Sequence, residues 1–188
     1  MADIFVSYSR QDEAFGRTLH ARLTGLKRDV WMDWEDIPFN SDWWQEIRRG
    51  IETSDNFLII LSNDFVRSPV CMLEVDYARQ NNKRILVVAH NFHEREDVSD
   101  QLRQRTQASE TLQQLLGDRD IVNLSTENWT TIGHVNWLFF NDETKFDENF
   151  HNLLKTLDTD LNHVRTHTNL QVRALEWFTN DRNWSFLI

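Results

Sequence analysis

The sequence predicts an α/β fold in which helices cover both faces of a parallel sheet. Over the first ninety residues, short β-rich runs alternate with amphipathic helical segments, which is the order that parallel βαβ units with right-handed crossovers produce. The run 56–62 is apolar along almost its whole length, as is typical of a strand buried on both faces of a sheet. The 188 residues suffice for one domain, or one domain with an appendage.

The elements of this first half can be placed in order. Four strands are predicted, at residues 4–8, 30–32, 56–62 and 85–89. Between the first two strands, Asp12 can cap a helix whose apolar face contains Phe15, Leu19 and Leu23. A second helix begins at Ser41, after a loop with one proline. The pair Ser68-Pro69 starts a third helix that runs to about residue 81, because it combines a capping hydroxyl with proline at the first helical position.

The alternation of strand and helix signals becomes less regular after residue 90. Residues 99–116 predict one polar helix, and two segments, 121–124 and 135–140, compete for a fifth strand. Apolar residues spaced by three or four from 146 to 164 predict a single long helix, with a final helical segment over 168–177. The apolar residues among the last six predict that the chain was cut from a longer protein.

Composition excludes several classes of protein. Lys plus Arg is 20 and Asp plus Glu is 30, a net charge of −10 without a basic face, which argues against nucleic acid as a partner. No apolar run approaches the length of about 18 residues that a membrane span needs. The five glycines never cluster, so neither common glycine-rich phosphate loop is present. A single cysteine, Cys71, fits a reducing, cytoplasmic compartment, and no metal-ligand pattern is complete.

Five stretches of sequence, taken in their order along the chain, resemble the motifs of one known family: residues 3–12, 30–33, 36–38, 57–62 and 68–74. Together they resemble the Toll/interleukin-1 receptor (TIR) domain almost without gaps as far as residue 90, and more weakly over 135–165. The chain resembles bacterial TIR domains that precede STAND ATPase or WD-repeat regions. The resemblance implies a flavodoxin-like fold with a five-stranded parallel sheet, and it favours 135–140 as the fifth strand.

The resemblance also divides the chain. Residues 1–165 are expected to form the TIR domain, with 97–134 as an insertion. Residues 166–188 are expected to form a helical linker toward a C-terminal region that this sequence lacks.

In open parallel sheets, ligands bind beyond the carboxyl ends of the strands where the strand order reverses. Three segments should meet there: the turn after the first strand, the loop after the second strand, and the start of the helix at residues 68–74. Many bacterial TIR domains cleave NAD between nicotinamide and ribose, and the resemblance places the catalytic glutamate at Glu74. The residues expected to bind NAD are Tyr8, Ser9, Arg10, Trp34, Asp36, Trp44 and Cys71.

A single carboxylate suits this reaction. Ordinary glycosidases need a second carboxyl group to protonate the leaving group, whereas nicotinamide in NAD is already cationic and leaves as a neutral molecule. The enzyme must stabilise a cationic ribosyl centre. Water then gives ADP-ribose, and a nucleophile in the same molecule gives a cyclic isomer; the sequence does not choose between them. NAD is thus the substrate, with no cofactor and no metal. Arg10, and the helix N-terminus near Ser68, are candidates to hold its diphosphate.

Two functions remain open. The first is an NAD-cleaving enzyme activated by self-association, which in bacterial relatives often serves defence against phage. The contact surface would contain the exposed residues Trp34, Phe39, Trp43 and Trp44. The second is a non-catalytic assembly module, as in animal adaptor TIR domains. Glu74 favours the enzyme, whereas Val70 favours the module, because the family often has tryptophan at that position.

Overall fold

The computed structural model describes residues 3–32, 43–94, 96–159 and 161–179. Within them, five parallel strands form one sheet in the order β2-β1-β3-β4-β5. The strands are β1 (Ile4–Ser7), β2 (Val30–Trp31), β3 (Asn56–Leu61), β4 (Arg84–Ala89) and β5 (Trp137–Phe139). The order reverses between β1 and β3, because the chain first moves outward to β2 and then returns to the other side of β1. This confirms the predicted α/β, flavodoxin-like fold.

The described part of the chain contains eight α-helices. They are α1 (Glu13–Gly25), α2 (Trp43–Thr53), α3 (Pro69–Gln80), α4 (Ser99–Gln107), α5 (Glu110–Leu116), α6 (Ile121–His134), α7 (Phe146–Asp158) and α8 (Leu161–Thr179). Short 3-10 turns at Arg10–Asp12 and Glu143–Lys145 precede α1 and α7. None of the described helices combines the length and apolar character needed to cross a bilayer.

The helices form a layer on each face of the sheet. Helices α1 and α7 pack with Ile4 and Val6 of β1 on one face. Helices α2 to α6 contribute to the core on the other face, which includes Phe5. Side chains alternate along a strand, so the side chain of Ser7 follows that of Phe5 toward the larger layer. This alternation directs the last residue of β1 toward α3.

Helix α2 lies close to the sheet because residue 50 is glycine. A Cβ atom at Gly50 would stand 3.0 Å from Cε2 of Trp31 and 3.1 Å from Cε2 of Phe5. The Phe5 and Trp31 rings are themselves stacked, with centroids 4.5 Å apart. The absent side chain therefore leaves the space that the aromatic pair occupies between β1, β2 and α2.

The predicted single helix over 99–116 is instead two helices. Ser109, between α4 and α5, has an extended backbone, and its hydroxyl accepts a hydrogen bond from the N–H of Leu112 at 3.3 Å. A serine in this conformation starts a new helix. The apolar spacing of the leucines did not reveal the break, because both helices turn their leucines toward the same core.

The two candidates for the fifth strand are resolved by a second cap. The carboxylate of Asp120 accepts hydrogen bonds from the N–H groups of Val122 and Asn123 at 2.8 and 3.0 Å. Residues 121–124 therefore begin helix α6, and β5 lies within the competing segment 135–140. Parallel pairing of β5 with β4 aligns Leu138 with Val88, which confirms the choice that the resemblance favoured.

The long helix predicted over 146–164 is also two helices. Helix α7 ends at Asp158, because Thr159 adopts an extended backbone with φ −71° and ψ 128°. Helix α8 begins at Leu161 and continues through the predicted segment 168–177. A C-terminal helical extension is thus present, although it begins earlier than expected.

Candidate functional site

A cavity of about 310 Å³ opens where β1 ends, beside the point at which the strand order reverses. Tyr8, Ser9 and Arg10 line it from the turn after β1, and Cys71 and Glu74 line it from α3. These five predicted site residues come together although some 60 residues separate the two segments. The cavity lies where ligands bind in open parallel sheets.

Glu74 is held inside this cavity by burial and by a hydrogen bond. Its residue surface is only 6% exposed, and the hydroxyl of Ser7 donates to its Oε2 at 2.5 Å. Such short distances are typical of hydroxyl donors to carboxylates. Helix α3 places the glutamate there because Ser68 caps its N-terminus, accepting from the N–H of Cys71 at 3.3 Å. The carboxylate is therefore oriented from the sheet and from its own helix.

Cys71 lies one helical turn before Glu74 and is buried. Its Sγ donates to the main-chain carbonyl of Tyr8 at 3.4 Å. Burial raises the pKa of the Cys71 thiol well above its usual value, and the negative charge of Glu74 raises it further. The thiol thus stays protonated at neutral pH and acts as a small side chain in the cavity floor, not as a thiolate nucleophile.

Two tryptophans form aromatic walls of the cavity, Trp31 at the end of β2 and Trp43 at the start of α2. Trp43 is only 3% exposed, so the expectation that it offers an exposed contact surface is wrong: its ring is part of the core between α2 and α3. Trp44, predicted to bind NAD, is not among the residues that line the cavity. It contacts Trp43 and the ring of Tyr77 instead. Trp34, Asp36 and Phe39 lie outside the described residues.

The turn that carries Arg10 is anchored to the end of β3, across the point at which the strand order reverses. The hydroxyl of Ser62, just after β3, donates to the buried carboxylate of Asp12 at 2.5 Å. Asp12 thus occupies the N-cap position of α1, where the sequence predicted the helix to start, but its side chain makes no capping bond to that helix. Burial raises the pKa of Asp12, while the bond from Ser62 opposes that rise. This contact fixes the turn that lines the cavity.

Sequence reasoning missed three groups at the site. Trp31, a wall of the cavity, belongs to a predicted strand with no signal that marks it as a site residue. Ser7 belongs to a predicted strand, and only the alternation along β1 signals that it shares the α3 side with Phe5. Arg105, on α4, also lines the cavity, but the sequence predicts that its segment, 97–134, is an insertion. No local pattern predicts that α4 packs against α3 and brings this arginine to the cavity that Glu74 lines.

Comparison with known families decides the identity of the fold. The sequence profile described as "TIR domain" matches residues 4–154.

The chain belongs to the TIR domain family.

Two solved structures illustrate the likeness of this TIR domain to others. The TIR domain of the Toll-related receptor TRR-2 from Hydra magnipapillata is 14% identical, with a TM-score of 0.57, and the match covers 84% of this chain and 98% of that one. The TIR domains of the activated Roq1 resistosome, which recognises the pathogen effector XopQ, are 17% identical with a TM-score of 0.61, covering 84% and 99%. At these identities the likeness establishes the fold. No curated protein sequence matches significantly.

The TIR domain thus combines three chemical features at one sheet edge. A carboxylate lies at the floor of the cavity, tryptophan rings form its walls, and Arg10 and Arg105 add positive charge. Among the residues that the structure describes, no group of three or more His, Cys, Asp or Glu side chains could hold a metal ion. The arrangement suits a ligand with an aromatic ring, an anionic portion and a centre that becomes cationic.

Proposed function

We propose that this TIR domain cleaves the bond between nicotinamide and ribose in NAD. The observation that carries the proposal is the buried carboxylate of Glu74, oriented by Ser7 at 2.5 Å within an aromatic-walled cavity. A carboxylate removed from bulk water interacts more strongly with a positive centre than an exposed one does. Membership of the TIR family supports the proposal, because that family includes NAD-cleaving enzymes.

The reaction needs only one carboxylate. The bond between C1′ of the ribose and the nicotinamide nitrogen breaks heterolytically, and its electron pair returns to the nitrogen, so nicotinamide leaves neutral. The ribosyl centre that remains is cationic, and Glu74 stabilises it electrostatically. Water then adds to C1′ and releases a proton to give ADP-ribose; attack by a nucleophile within the same molecule gives a cyclic isomer and likewise releases a proton.

The cavity fits one end of NAD. Its volume of about 310 Å³ is at the lower end of the range for small-molecule pockets, so nicotinamide and its ribose fill it while the rest of NAD extends outward. Trp31, which is only partly buried, offers an aromatic surface for nicotinamide, and the buried Trp43 contributes to the cavity wall. Tyr8, Arg10, Trp34 and Asp36 remain part of the proposed binding surface.

Self-association is the proposed activating step. A neighbouring copy of this chain that packs against the sequence segment following β2 would complete the binding surface beyond the cavity. Trp34 and Phe39 of that segment are proposed to form the contact. The proposed biological setting, defence against phage by a bacterial protein that also carries a STAND ATPase or WD-repeat region, rests on the resemblance in the sequence.

The experiment follows nicotinamide release from NAD by concentrated protein, for the native chain and for Glu74→Ala. We expect release by the native chain, rising more than linearly with protein concentration, and at least about a 100-fold loss in the variant. Equal release from both chains would contradict the role of Glu74. Mass spectrometry of the second product distinguishes ADP-ribose from a cyclic isomer.

One observation favours the alternative of a non-catalytic assembly module. Val70 lines the cavity at a position where the family often has a larger aromatic ring, so this wall is thinner. Absence of nicotinamide release from the native chain, even when it is clustered at high density on a surface, would favour the assembly module over the enzyme.

A further inference from the structure

A second arginine reaches the Glu74 cavity from a part of the chain that the resemblance leaves without a role. Arg105 lies in the last turn of α4 and lines the cavity together with Arg10 and Glu74. Helix α4 packs against α3, α5 and α6. The arginine is therefore carried by a packed helix and not by an independent appendage.

The position of Arg105 is fixed from two sides. Leu102 and Thr106 of the same helix are buried, at 1% and 7% exposure, and set the rotation of α4 about its axis. The Nη1 of Arg105 donates to the main-chain carbonyl of Arg67 at 3.0 Å. Arg67 directly precedes the capping residue of α3, Ser68, so this bond holds the guanidinium beside the start of the helix that carries Glu74.

The backbone that receives this bond is itself secured. The Arg67 side chain forms ion pairs with Glu96 at 2.6 Å and with Asp64 at 3.6 Å. The neighbouring Asn63 donates to the same Glu96 at 3.2 Å. The loop between β3 and α3 is thus tied to the segment that leads into α4, which keeps Arg105 at a constant position relative to the cavity.

Arg105 has donors left for a ligand. A guanidinium carries five N–H donors in a planar fork, and one of those of Arg105 is taken by the Arg67 carbonyl. Across the described ranges, no carboxylate pairs with Arg105, and its side chain is exposed. Arg103, two residues earlier on α4, differs: it lies 3.8 Å from Asp120 and is not among the residues that line the cavity.

We infer that Arg105 binds the diphosphate of the dinucleotide substrate and selects for it over substrates that lack phosphate. The inference rests on the proposed function. Glu74 at the floor serves the cationic ribosyl centre, and an anionic group must therefore be held elsewhere, at the mouth. Arg105 from α4 and Arg10 from the turn after β1 supply that charge, and a guanidinium fork matches phosphate oxygens. Arg105 is a substrate-binding residue, not a catalytic one.

The experiment compares a ligand with a diphosphate and one without. Calorimetry measures the dissociation constants of ADP-ribose and of adenosine for the native chain, Arg105→Gln and the matched control Arg103→Gln. We expect Arg105→Gln to weaken ADP-ribose binding about tenfold and to leave adenosine binding unchanged, while Arg103→Gln changes neither. In steady-state cleavage of NAD, Arg105→Gln should raise KM about tenfold with kcat within about twofold, and Arg105→Lys should restore part of the loss.

The outcomes separate this inference from the proposed function. Equal effects of the two glutamine variants, an equal loss for adenosine, or no binding of ADP-ribose at millimolar concentration would overturn the role of Arg105. Nicotinamide release that does not depend on Arg105 overturns this inference alone. Binding of ADP-ribose that depends on Arg105, in a chain that releases no nicotinamide, supports the phosphate site and contradicts the catalytic proposal.

Discussion

The two ends of the sheet both bury charged side chains, but in different surroundings. At the carboxyl end, Glu74 lines the cavity that opens where the strand order reverses. At the amino end, Lys83 and Asp55 are 7% and 3% exposed and are bonded to the elements packed around them. The Lys83 Nζ donates to the main-chain carbonyls of Glu52 and Ser54 at 2.6 and 3.1 Å. Burial of a charged side chain alone therefore does not indicate a functional site.

The amino end fastens helices to the sheet. The guanidinium of Arg165, on α8, lies 3.4 Å from the Asp55 carboxylate and 3.0 Å from that of Asp3. Arg84 of β4 donates to the carbonyls of Thr156 and Thr159 at 2.6 and 2.9 Å. These bonds hold α7 and α8 against the sheet. We therefore expect changes at this end to alter stability and changes at the carboxyl end to alter activity.

The largest effect on stability is expected from Lys83→Met. The substitution keeps the apolar stem but leaves two carbonyl groups in the protein interior without their donor, which should lower the free energy of unfolding by about 2–3 kcal/mol. Urea denaturation at neutral pH measures this change. Nicotinamide release per folded molecule should stay within about twofold of the native value. A variant that loses nicotinamide release but keeps its stability would contradict the assignment of stability to the amino end and activity to the carboxyl end.

A smaller effect, on activity, is expected from Ser7→Ala. Without the hydroxyl donor, the Glu74 carboxylate loses its orientation, and kcat for NAD cleavage should fall about tenfold while KM changes little. The matched control is Ser62→Ala, which removes a hydroxyl bonded to a buried carboxylate, that of Asp12, at the same distance of 2.5 Å. That control loosens the turn that carries Arg10, so it should lower stability and raise KM, while its kcat per folded molecule stays within about threefold. Equal kcat losses in both variants would show that any buried hydroxyl at this end matters.

The smallest effect is a dependence of stability on pH at the amino end. Burial lowers the pKa of Lys83 from 10.5 to about 8. Between these values the unfolded chain holds a proton that the folded chain has released, so this residue's contribution to stability rises with pH, by about 1 kcal/mol between pH 8 and 9. Urea denaturation at both pH values measures it, with Lys83→Met as the control that lacks this gain. A native chain that loses stability relative to the variant over this range would contradict the assignment.

The first four strands and the first three helices follow from local patterns, because each apolar run there has the period of the element it forms. The boundaries between elements after residue 90 do not follow from local patterns. A serine or an aspartate, as at Ser109 and Asp120, begins a new helix there without changing the spacing of the apolar residues. The same limit applies to the site. Glu74 and the turn after β1 belong to stretches of sequence that resemble the TIR domain, so they can be recognised from the sequence. Arg105 reaches the cavity only because α4 packs on α3.

The most direct test compares two buried carboxylates, one at each end of the sheet. Glu74→Gln and Asp55→Asn each remove one charge with little change in shape. The measurement is nicotinamide release from NAD per folded molecule, with the folded fraction determined by urea denaturation of the same samples. We predict at least a 100-fold loss for Glu74→Gln and a change of less than about threefold for Asp55→Asn, which instead lowers stability by about 1–2 kcal/mol. Release by Glu74→Gln equal to that of the native chain, or an equal loss in Asp55→Asn, would contradict the account.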